Sequence, residues 1–117
     1  MDGDGGYALQ KLELSIIDLA IGAGDIRSRL HYVFMEHLHI INERDFPNEF
    51  KNDWSSIYKA LTKKGPVINE EGKKFTGSVQ HTLRGMKNKS ATKIARDIVV
   101  LSGKLRGYFG DLAKNNP

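Results

Sequence analysis

The chain has no cysteine among its 117 residues, which excludes disulfides, thiolate metal sites and cysteine nucleophiles. A reducing compartment suits such a composition. No apolar run approaches the roughly 20 residues that a bilayer span needs. The opening Met1-Asp2-Gly3-Asp4-Gly5-Gly6 has neither the basic nor the apolar stretch of a secretory leader. The expected location is therefore the cytoplasm, with no membrane partner. Recognised catalytic signatures are missing too. There is no Gly-x-Ser-x-Gly elbow and no calcium loop, and Gly3 to Gly6 lacks the strand and helix that flank a phosphate-binding glycine loop. No cofactor is expected.

Acids are scarce in the second half. Residues 63–117 carry 12 Lys/Arg against 4 Asp/Glu, a balance of +8, whereas residues 1–62 carry 6 against 10, a balance of −4. Arg84, Lys87, Lys89, Lys93 and Arg96 fall within one acid-free stretch. Such a cluster points to an anionic partner, either nucleic acid or an acidic protein surface. The competing reading is a basic face that only keeps the chain solvated.

A hydrophobic fraction of 39% with 27% charged residues is that of one globular domain. The expected domain covers residues 7–112, between a flexible start (1–6) and a flexible tail (113–117). The expected fold is all-α, a compact bundle of four or five amphipathic helices with a short β-hairpin or loop at 65–77.

Helix 1 is expected from Tyr7 to Ile21, with Ala8, Leu9, Leu12, Ile16, Leu19 and Ala20 in its core stripe. Helix 2 is expected from an Asp25 cap to about Ile41, burying Ile26, Leu30, Val33, Phe34, Leu38, Ile40 and Ile41. Helix 3 starts near Asp45 to Pro47 and buries Phe50, Trp54, Ile57, Tyr58 and Leu61. Residues 65–77 are expected to be a packed loop anchored by Val67, Ile68 and Phe75, because strands this short do not make an independent sheet. Helix 4 follows a Ser78 cap, with Val79, Leu83 and Met86 facing inward. Helix 5 follows a Ser90 cap and runs to about Phe109 on the stripe Ile94, Ile98, Leu101, Leu105 and Phe109. Gly103 is expected to fray or kink it. Lys93–Ile98 and Leu101–Phe109 could be the two helices of a helix-turn-helix, but Val99-Val100 carry no turn signal where the turn belongs.

Three constellations could carry function. The first is the basic ridge of Arg84, Lys87, Lys89, Ser90, Lys93, Arg96 and Lys104, suited to phosphate contacts near the start of helix 5. It contains no aromatic residue to stack on bases, which argues against single-strand recognition. The second is histidine. His31, His37 and His39 do not share the i, i+4 spacing of a metal pair, so no metal site is expected. His37 lies in an apolar stripe and reads first as a partly buried histidine satisfied by a polar neighbour, second as the general base of a small enzyme. The third is a second apolar stripe on helix 1, Leu14, Ile17 and Ile21, which Tyr32 and Met35 of helix 2 could extend. A helix apolar on two sides is either central in its bundle or half of an interface, most simply a homodimer. The leading expectation is a non-catalytic module that binds an anionic partner through the ridge. Self-association through helix 1 is the alternative.

Overall fold

The computed structural model describes residues 5–72 and 74–115. Among them are α1 (Gly6–Ile21), α2 (Ile26–Glu36), α3 (Lys51–Leu61), α4 (Ser78–Arg84) and α5 (Asn88–Asn115), with a two-stranded ribbon of β1 (Val67–Ile68) and β2 (Lys74–Thr76). The fold is an all-α bundle. Its spine is the 28-residue α5, about 42 Å long at 1.5 Å per residue, against which α1, α2 and α3 pack. In turn α2 packs against α1 and α4, and α3 against α4.

The core of α1 is Ala8, Leu12, Ser15 and Leu19, while Leu9 and Ile16 are half-buried and Ala20 is exposed. Ser15 joins an apolar stripe because its hydroxyl donates to the Lys11 carbonyl at 2.7 Å, so no polar group is stranded. The turn between α1 and α2 is tied by Arg29, which donates to the carbonyls of Gly24 (2.9 Å) and Leu19 (3.3 Å). Asp25 caps α2 as expected, accepting the Ser28 amide at 3.0 Å.

Several expectations change here. The α-helix of α2 ends at Glu36, and Leu38–Ile40 is a 3-10 turn. His37 leaves helical dihedrals at φ −128°, and the β-branched pair Ile40-Ile41 gains little from continuing the helix. Asp45 does not cap α3. It closes a capping box with Asn42 around the 3-10 turn Glu43–Asp45, and a second 3-10 turn, Asn48–Phe50, leads into α3. Tyr58, expected in the core, is 44% exposed. Residues 65–77 contain an antiparallel ribbon rather than a plain loop, with Val67 opposite Thr76 and Ile68 opposite Lys74. The Phe75 side chain lies outside the described residues.

In α4 the N-cap is Gly77, Ser78 is the first helical residue, and the buried side chains are Val79, Thr82 and Leu83. Ser90 does not cap α5. The Ala91 amide bonds the Lys87 carbonyl at 3.1 Å, so the helix begins three residues earlier than Ala91. It then runs unbroken through Gly103 and past Phe109. This excludes a helix-turn-helix at Val99-Val100, which sit exposed in mid-helix. Packing of Ile98, Leu101, Ser102 and Leu105 holds the glycine-weakened stretch helical.

The cap of α2 makes a testable acid signature. Asp25 is held below its ordinary pKa by the Ser28 amide and then by Arg27, whose Nε and Nη2 donate to it at 3.1 and 2.8 Å. A depressed carboxylate pKa contributes stability that is present above the unfolded value and lost as pH falls through the folded one. Asp25→Ala is therefore expected to melt lower than wild type at pH 7, with the gap closing as pH falls below about 4. Thermal melts at both ends of that range check it, and a gap independent of pH would contradict the assignment.

Candidate nucleic-acid interface

All seven ridge residues, Arg84, Lys87, Lys89, Ser90, Lys93, Arg96 and Lys104, lie exposed on α4, α5 and the turn that joins them. They are not equivalent. Lys93 pairs with Asp97 one turn on (2.9 Å), and Lys104 pairs with Asp53 of α3 (3.2 Å). Arg106, beyond the ridge, pairs with Glu13 of α1. Acids of the N-terminal half thus reach the later turns of α5 and compensate its charge there. Arg84, Lys87, Lys89 and Arg96 pair with no acid among the described residues.

The turn between α4 and α5 also gathers cations that are remote in sequence. Lys64, just past the end of α3, donates its amide to the Thr82 hydroxyl at 3.0 Å. Its ammonium lies over Gly85, where a β-carbon would collide with it. Arg27 of α2 donates Nη1 to the Met86 carbonyl at 3.2 Å while its other donors hold Asp25. His81 of α4 contacts the Gly65 carbonyl through Nδ1 at 3.0 Å, fixing the end of α3 against α4. The result is a basic cap built by Arg84, Lys87 and Lys89, with the Lys64 ammonium at Gly85 and the Arg27 guanidinium, paired to Asp25, at the Met86 carbonyl. No acid stands in the first turn of α5, whose free amides add partial positive charge to the same end. Sequence reading missed Lys64 and Arg27 because only the packing of α2 and α3 on α4 brings them there.

Two clefts open beside this cap. One, of about 270 Å³, lies between the start of α2 and α4 and is lined by Arg27, His31, Gln80 and Arg84, among others. The second, of about 630 Å³, continues from His31 and Gln80 to Phe34, Met35, Tyr58 and Thr62.

His37 is satisfied by Asp18 of α1, with Nε2 to Oδ2 at 2.5 Å and both side chains partly buried. Glu36, its sequence neighbour, points elsewhere and is exposed. Among the described residues no three His, Asp or Glu side chains gather as a metal ion would require, and no helix is long and apolar enough to cross a membrane.

The five residues read as an interface, Leu14, Ile17, Ile21, Tyr32 and Met35, are all exposed, Ile21 at 76%. Helix α1 is therefore not sheathed on its second apolar side. Ile21 and Tyr32 line a common cleft of about 390 Å³ with Asp18 and Arg29, whereas Met35 belongs to the cleft beside α4. Comparison with known protein families, with curated proteins and with solved structures finds no match to this chain.

Proposed function

We propose that the chain is a non-catalytic module that binds nucleic acid by its phosphates through the basic cap at the α4–α5 turn. One observation supports this reading above the others. Cations from separate places in the sequence (Lys64, Arg84 and the pair Lys87 and Lys89) converge at one end of the bundle with no acid paired to them among the described residues. They stand beside an Arg27 that Asp25 already compensates, while acids compensate the later turns of α5. A face that served only to solvate the chain would gain nothing from gathering like charges, which repel one another. Phosphate contacts need no fixed base edge, and they register as a steep salt dependence.

Fluorescence anisotropy of the whole chain with labelled duplex DNA, single-stranded DNA and RNA tests it. The expected result is binding at low salt whose logarithm falls linearly with the logarithm of salt concentration. An absence of binding to all three at low salt would reject the proposal.

A second reading is favoured by the bare apolar side of α1. Large apolar side chains grouped on one face of a soluble protein mark contact surfaces, and a twofold self-contact is the commonest solution. On this reading the chain shows a concentration-dependent mass in sedimentation, and Ile17→Asp holds it as a monomer. Ile17 is already 54% exposed, so the substitution leaves the fold intact. A wild-type mass that stays monomeric at high concentration removes this reading.

A further inference from the structure

We infer that the partner of the basic cap is single-stranded, and that the groove between α2 and α4 receives one of its unstacked bases. This inference rests on the nucleic-acid reading above and names the class of nucleic acid. The two clefts beside the cap share His31 and Gln80 and so adjoin, and the two together are the groove. Its walls follow from helical spacing. Arg27, His31 and Met35 are four residues apart along α2, and Gln80 and Arg84 are four apart along α4, so each set lines one face of its helix. Arg27 and Arg84 stand at one end of the groove, and Met35 and Tyr58 at the other.

The chemistry therefore changes along the groove from cationic to flat and apolar. Arg27 is committed to Asp25 and to the Met86 carbonyl, which leaves Arg84 as the free guanidinium at the charged end. In the middle, the His31 and Gln80 side chains have no hydrogen-bond partner among the described residues. Between them they offer donors and acceptors to the edge of a base. At the far end the Tyr58 ring, tilted 44° to Phe34 at 6.3 Å, and the 56%-exposed thioether of Met35 present soft, polarisable surface. A strand with a phosphate at Arg84 and an unstacked base against Tyr58 and Met35 satisfies all three zones. A duplex keeps its bases stacked inside and can use only the charged end. The aromatic surface that single-strand recognition needs is absent from the ridge itself but adjoins it through the fold.

The test compares, by anisotropy at one salt concentration, a labelled single strand, its duplex, an abasic strand of equal phosphate count and an acidic peptide. Base stacking on an aromatic side chain predicts that the single strand binds about tenfold tighter than the abasic strand. Tyr58→Ala and Met35→Ala are expected to erase that preference while leaving abasic and duplex binding unchanged. Both positions are exposed. Should Tyr58→Ala melt early, Met35→Ala carries the test alone. Equal binding of base-bearing and abasic strands, or groove variants that keep the preference, would overturn the inference while leaving the basic cap standing. Failure of every nucleic acid to bind, or binding by the acidic peptide as tight as by the single strand, would overturn both.

Discussion

Phe46→Ala is expected to cost about 3–5 kcal/mol of folding stability, the range for deleting a fully enclosed phenyl ring. Phe46 is completely buried and stacks on Trp54, ring centroids 5.6 Å apart and planes 22° from parallel. It sits in the irregular segment between the 3-10 turns that join α2 to α3, with α3 held against it. Truncation leaves a ring-sized void beside the single tryptophan. Domains of this size are stable by only about 5–15 kcal/mol, so the loss is a large share of the total. Urea unfolding followed by Trp54 fluorescence reads it as a lowered midpoint with an unchanged slope. Phe34→Ala, in the core stripe of α2 but half-exposed, serves as the comparison and should cost less. A Phe46→Ala loss below about 1 kcal/mol would mean that the segment is not a structural part of the core.

The second large effect concerns salt. Each phosphate contact on duplex DNA contributes about 0.9 to the slope of log affinity against log salt. If Arg84, Lys87 and Lys89 each hold one phosphate, replacing all three with alanine flattens the slope by about 2.7. At 0.1 M salt this corresponds to roughly 500-fold weaker binding. The paired Lys93→Ala/Lys104→Ala variant is the control, since Asp97 and Asp53 already compensate those charges. It should lose much less, because surface ion pairs leave little net charge to offer a phosphate. All five side chains are exposed, so neither variant disturbs packing. Equal losses from the two variants would move the binding surface away from the α4–α5 turn and along the whole of α5.

Much of this architecture could be read from periodicity. Residues spaced at three and four, such as Leu30 with Val33 in α2 or Ile94, Ile98, Leu101 and Leu105 in α5, mark a core face wherever the helix lies in space, because 3.6 residues per turn brings them to one side. Asp25 was legible as a cap for a similarly local reason. Its side chain reaches an amide three residues on, with no help from the rest of the fold. The all-α class follows from the same local rules.

Failures came where distant residues decide. Tyr58 is outside because its side of α3 opens onto the groove. Phe46 lies in a segment without helical period, so no stripe announced it. The start of α5 at Asn88 and its unbroken course through Gly103 depend on neighbouring helices rather than on cap or propensity signals.

By itself the sequence determined the helices' apolar faces, the split of charge between the two halves and the acid-free stretch from Arg84 to Arg96. These are properties of neighbours in the chain and survive any arrangement of the helices. Tertiary structure alone decided which charges remain uncompensated. It brought Asp53 to Lys104 and Glu13 to Arg106, and it carried Arg27 and Lys64 to the α4–α5 turn. It also set Arg84 and the pair Tyr58 and Met35 in two clefts that share His31 and Gln80. Coulombic compensation and groove chemistry act over a few ångströms of space, and pairs separated by 51 or 93 residues reach that range only once the bundle has closed.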